Sequence, residues 1–139
     1  MTRARLVTVV CLLACVALAV PMLARQGAAP AADSVSGTWT GDWGPNAQDR
    51  NAVTVELKLT GTAITGTVKS TQPARPDVTL SKSTFTPATG AVHMEAETKN
   101  PRSGAAVHYI IDGKVTNGSM TGSWNHETTK GDFKLTKKN

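Results

Sequence analysis

Cysteine is confined to two positions, Cys11 and Cys15, both inside an apolar stretch near the amino terminus. Without that stretch the chain carries no thiol, which excludes disulfides and thiolate metal sites; a domain large enough to build a core does without them. Helical periodicity is also absent beyond residue 35. There is no G-x-S-x-G elbow, Walker loop or G-x-G-x-x-G, the loops that would seat a nucleophile, a nucleotide or a dinucleotide cofactor. His126-Glu127 begins like the zinc-binding H-E-x-x-H, but Lys130 stands in place of the second histidine, and the segment reads as a turn rather than a helix. Asp42 and Asp49 fall near one another on a loop with nothing to align them for acid–base work. The chain is therefore read as non-catalytic, with no cofactor and no metal.

Strong charge is lacking too. The formal net charge of +5 rests largely on Arg3, Arg5 and Arg25; without them 12 basic residues face 10 acidic ones. A nucleic-acid partner loses its footing on that balance. Arg3 and Arg5 precede a mainly apolar run from Leu6 to Val20, followed by Pro21 and a stretch rich in Ala, Gly and Pro. This is the layout of a secretory signal peptide over residues 1–24 with a flexible leader over 25–35. The run is shorter than the ~20 residues a membrane helix needs. The product is expected to be secreted or periplasmic, touching a membrane only through this segment if it stays uncleaved. Leu12-Leu13-Ala14-Cys15 resembles a lipobox, against which stand the short apolar stretch before Cys15 and the apolar residues after it.

What is present is β-strand alternation. In Val115-Thr116-Asn117-Gly118-Ser119-Met120, Asn-Gly tolerates the positive φ angles of a two-residue type I′ turn. Counting outward pairs Val115 with Met120, Gly113 with Gly122, Ile111 with Trp124 and Tyr109 with His126. All lie on one face, because side chains alternate with period 2. A loop over Lys99–Gly104 would set Val92 against Ile111, Met94 against Tyr109 and Ala96 against Val107, with His93, Glu95, Glu97 and His108 on the outer face. A turn at Thr128-Thr129 would bring Trp124 to Phe133 and Gly122 to Leu135. Upstream, a turn over Thr60–Ala63 matches Leu59 with Ile64, Leu57 with Gly66 and Val55 with Val68. Apolar residues meet apolar residues throughout, and the pattern fixes the register.

Strands are expected at Ser36–Trp43, Ala52–Thr60, Ala63–Ser70, Val78–Phe85, Ala91–Lys99, Val107–Thr116, Ser119–Asn125 and Gly131–Lys137. An open sheet with one apolar face has nothing to cover it. Closing the antiparallel up-and-down meander of eight strands into a barrel buries that face and pairs the edges, with the last strand beside the first. Residues 36–139 thus form a single all-β domain of about 105 residues, large enough to fold alone as a monomer. Gly66, Gly113 and Gly122 fall on the inner face, where they permit bending or the close approach of a large neighbour such as Trp39 or Trp124, or leave room for a ligand. Alternation breaks phase between Val78, Leu80 and Phe85, which calls for a β-bulge or a different strand boundary.

Ser36-Gly37-Thr38-Trp39-Thr40-Gly41, Gly61–Val68 and Met120-Thr121-Gly122-Ser123-Trp124 resemble the G-x-W first strand and the G-T and G-S-W later strands of calycin-type barrels such as lipocalins and avidins. The similarity is greatest to small secreted bacterial barrels of unestablished role. It implies an up-and-down barrel in which Gly37 and Trp39 are structural, the indole closing one end.

Two classes of function stay open. In one, Tyr109 and His126 form a polar pair at the barrel mouth and orient a small apolar or amphipathic ligand, whose apolar part enters among Met94, Ile111, Trp124 and Phe133. Trp43, in the loop Trp43–Arg50, offers an exposed aromatic on which a glycan would stack. In the other, the barrel is packed solid and its loops or outer face touch a partner. Either outcome suits eight strands. The outer cluster of His93, His108, Glu95 and Glu97 reads as solvated decoration of the sheet, with a weak ion pair or adventitious Zn²⁺ as the sharper alternative. Asn117-Gly118-Ser119 matches a glycosylation sequon, although the turn accounts for all three residues.

Overall fold

A computed structural model describes residues 34–139. The signal peptide, the lipobox at Cys15 and most of the leader fall outside the described residues. Eight strands follow one another: β1 (Gly37–Gly44), β2 (Asn51–Thr60), β3 (Ala63–Gln72), β4 (Val78–Thr86), β5 (Ala91–Lys99), β6 (Ala106–Thr116), β7 (Ser119–His126) and β8 (Thr129–Lys137). Each pairs antiparallel with the next, and β8 returns to β1 from Trp39↔Lys137 to Gly44↔Asp132, closing the barrel. Closure leaves no strand edge unpaired.

Two hairpins keep the registers expected of them. Leu59↔Ile64, Leu57↔Gly66 and Val55↔Val68 join β2 to β3, and Val115↔Met120 through Ile111↔Trp124 join β6 to β7. Asn117 and Gly118 take φ of 49° and 73°, the left-handed pair that the tight turn requires. The other two hairpins are displaced by two residues, so every side chain keeps its face but changes partner. In β5–β6, Val92 lies opposite Gly113, Met94 opposite Ile111 and Ala96 opposite Tyr109. In β7–β8 the turn falls at Glu127-Thr128, with Glu127 at φ 49°, and sets Trp124 opposite Gly131 and Gly122 opposite Phe133. The physical reason is volume. A Cβ on Gly113 or Gly122 would come within 2.8 Å of the Phe133 ring, and one on Gly131 within 2.7 Å of the Trp124 indole. Large rings thus cover glycines rather than one another. Phe133, not Trp39 or Trp124, fills the space over Gly113 and Gly122.

The phase break in β4 is a bulge. Leu80 pairs with Ala96 and Ser83 with Met94, so Ser81 and Lys82 oppose Glu95 alone. The extra residue returns Ser83 and Phe85 to the interior, where both are buried.

The barrel is filled at one end only. Val35, Trp39, Phe85 and Met120 are fully buried there, and the Trp39 indole donates from Nε1 to the Val35 carbonyl at 2.8 Å. Backbone bonds knit the turns around this floor: Phe85 N–H to Thr62 O, Val115 N–H to Gly90 O and Lys137 N–H to Gly118 O, all 2.8–2.9 Å. Val35 and Lys138 lie at this end as well, the latter donating to Thr38 O. The opposite end is bounded by residues 45–50, 73–77, 100–105 and 127–128, the connections that alternate with the floor turns along the meander.

Candidate functional site

Above the floor the interior is hollow, forming a cavity of about 710 Å³. Its walls are largely aliphatic, from Val53 and Val55 on β2 through Leu80, Met94 and Ala96 to Ile111 and Leu135. Period-2 alternation puts these residues inside, since each strand sends every second side chain to the lumen. One side of the wall is aromatic. Trp43, Tyr109, Trp124 and His126 converge from β1, β6 and β7 with ring centroids 4.6 Å apart for Tyr109–His126, 5.0 Å for Trp43–Trp124 and 5.8 Å for Trp124–His126. The Trp43 and Trp124 planes meet at 76°, while Trp124 and His126 stack at 12°. Edge-to-face contacts of this kind add to the burial of the rings.

Polar capacity in this cluster is only partly used. Trp124 Nε1 donates to Asp132 O at 3.2 Å. Trp43 Nε1 and His126 Nδ1 are buried and have no partner among the described residues. An indole N–H can only donate, and a buried donor left unpaired costs about 1–3 kcal/mol. Tyr109 is half-buried; burial raises its hydroxyl pKa above the ordinary tyrosine value, Arg75 opposes this and Glu127 adds to it. The phenol therefore stays protonated at neutral pH and is available as a donor.

All seven residues singled out from the sequence, Met94, Tyr109, Ile111, Trp124, His126, Phe133 and Trp43, line this one cavity. Trp43 corrects its expected setting: it belongs to β1, opposite Asn51 and Phe133, and faces the lumen with Trp39 rather than standing exposed on the following loop. The reason is phase: Trp43 lies four residues after Trp39 on the same strand, so period-2 alternation sends both indoles to the same side. Trp43 consequently offers no outward platform for a glycan. The loop after it is held otherwise. Arg50 Nε donates to Asp42 Oδ1 at 2.8 Å and Nη1 to Asp132 Oδ1 at 2.6 Å, so Asp42 pairs with an arginine instead of with Asp49.

The rim shows residues that alternation did not reveal. Arg75 and Pro76 in the β3–β4 loop and Lys99, Asn100 and Pro101 at the end of β5 line the cavity mouth. Loops carry no period, but the meander does: every second connection lies at one end, so residues 71–77 share the end of His126.

On the outside, His93 Nδ1 meets Asp112 Oδ1 at 2.6 Å and its Nε2 meets Glu95 Oε1 at 3.4 Å, while His108 Nε2 lies 3.2 Å from Glu95 Oε2. Glu97, not Glu95, stands directly opposite His108, and Glu95 reaches it diagonally. Asp112 raises the His93 pKa above its ordinary value, against a lowering by burial. These contacts link the two imidazoles to carboxylates and are ion pairs when the imidazoles are protonated; no group of three or more His, Cys, Asp or Glu among the described residues is arranged to hold a metal ion.

No family model and no curated protein sequence matches the chain. Among solved structures, apo lipid binding protein 8 of Caenorhabditis elegans is similar at 12% identity and a TM-score of 0.46, covering 76% of this chain and 96% of that one. A likeness that remote bears on neither ligand nor activity.

Proposed function

We propose that this protein is a non-catalytic binder that holds a small apolar or amphipathic molecule in the cup between the floor residues and the rim loops. The observation that carries the reading is the cavity of about 710 Å³, within the ~300–1,000 Å³ usual for small-molecule sites, into whose wall are built the unpaired polar atoms of Trp43 and His126. An apolar wall with few polar groups is the general form of such sites. A barrel packed solid around a partner-contacting surface fits less well, because filling is limited to the floor. Export to the periplasm or the medium is part of the proposal and rests on the basic start and apolar run of residues 3–20.

The test is a fluorescence titration of the full chain with Nile red, a neutral apolar dye, alongside native mass spectrometry of protein from its own host. Saturable one-to-one binding is expected, and Ala96→Trp, which puts an indole into the lumen at a buried wall position, is expected to weaken it at least tenfold. Absence of saturable binding, together with a clean apo mass, refutes the reading.

A further inference from the structure

Two cations border the mouth without a counter-ion. Arg75 and Lys99 line the cavity, and the side chain of neither forms an ion pair or a hydrogen bond with any described residue. Elsewhere on the barrel basic side chains within reach of an acid take it: Arg50 holds Asp42 and Asp132, and Lys69 meets Glu56 at 3.1 Å. Around the cavity there is no acid to take, because among the described residues no aspartate or glutamate lines it. Glu127 sits on the β7–β8 turn at the same rim, outside the lining.

The uncharged donor points the same way. Trp43 lines the cavity and its buried Nε1–H lacks an acceptor. Guanidinium, ammonium and indole N–H all donate and none can accept. A ligand that satisfies them must bring acceptor atoms at its outer end, and hydrogen bonds from charged donors are strongest when the acceptor is itself ionised. Deeper in, Leu80, Met94, Phe133 and Leu135 supply only apolar surface.

We infer that the ligand is an amphiphile with an anionic head group, a carboxylate, sulfate or phosphate, held at the rim by Arg75 and Lys99 with its hydrocarbon end directed toward the floor. The inference rests on the ligand-binding reading of this cavity and narrows it to a charge class and an orientation. The exposed setting of both cations makes the attraction sensitive to salt, and the same field steers an anionic ligand toward the mouth.

The experiment compares dodecanoate, dodecanol and dodecyltrimethylammonium, which share a tail and differ in head charge, as displacers of Nile red from the full chain at low and high salt. Dodecanoate is expected to bind about tenfold more tightly than the alcohol, about 1.4 kcal/mol, and the cationic amphiphile more weakly than either. Salt and the double substitution Arg75→Ala with Lys99→Ala are each expected to erase the advantage of the acid and bring its affinity to that of the alcohol; an advantage that survives both overturns the charge assignment. Equal affinity for acid and alcohol, or a preference for the cation, overturns the charge assignment and leaves the cavity reading standing. Failure of the dye and all three amphiphiles to bind overturns both.

Discussion

Trp39→Ala and Trp124→Ala remove the same side chain from opposite halves of the barrel, and their costs are expected to differ by about 2 kcal/mol. Truncating a core Trp costs roughly 3–5 kcal/mol, the spread reflecting how closely the site is packed. Trp39 is fully buried among Val35, Phe85 and Met120, and losing its indole orphans the Val35 carbonyl. Its substitution belongs at the upper end, about 5 kcal/mol. Trp124 is also buried, but part of its surface faces the cavity, and its bond to Asp132 O is long at 3.2 Å. Where no atom faces the ring, no packing is lost, which sets the cost near about 3 kcal/mol. Urea unfolding followed by far-ultraviolet circular dichroism measures the difference without relying on the tryptophans themselves. With a slope of about 2 kcal/mol per molar, the midpoints should lie roughly 1 M apart at an unchanged slope. A small domain holds only ~5–15 kcal/mol in total, so Trp39→Phe, expected to lose about 2 kcal/mol, serves if Trp39→Ala does not fold. Equal midpoints, or a lower one for Trp124→Ala than for Trp39→Ala, would show that the mouth half is as densely packed as the floor.

Gly122→Ala should destabilise by about 2–3 kcal/mol, because its Cβ would come 2.0 Å from Asp112 O and 2.8 Å from the Phe133 ring. Gly61→Ala, with open space around it and a φ of +64°, should lose only about 1 kcal/mol; thermal melts of the two decide the order. His93 has a folded-state pKa raised chiefly by its hydrogen bond to Asp112. Its stabilisation is therefore fully present below the unfolded value of about 6.5 and fades as pH rises through the folded value. Asp112→Asn should weaken this pH dependence while leaving the smaller part that Glu95 supplies, which an NMR titration of the imidazole together with unfolding at about pH 5 and about pH 8 would reveal; an unshifted His93 titration in the native protein would contradict it.

The sheet was legible because one face is apolar and the other wet: Val53, Val55 and Leu57 alternate with polar neighbours, and Asn117-Gly118 names its own turn. The two displaced hairpins show what alternation omits. A slip of two residues preserves every face, so only the fit of Phe133 over Gly113 and Gly122, a matter of volume across three strands, selects the register. Val35 gave no sign of its burial, since it stands alone among small residues with no periodic partner. Of the site, the ring cluster could be read from its inward phase, although Trp43, the last residue of the expected first strand, was assigned to the loop that follows rather than to the face of Trp39. Arg75 and Lys99 were not legible as site residues: one sits in a loop and the other at a strand end, and nothing local to either indicates the mouth.

Both ends of the described chain lie beside the floor, with Val35 under Trp39 and Lys138 bonded to Thr38. Anything joined ahead of residue 34 or after residue 139 is therefore attached at the pole opposite the doorway. A molecule tethered by either terminus would turn the open end of the described barrel away from the point of attachment.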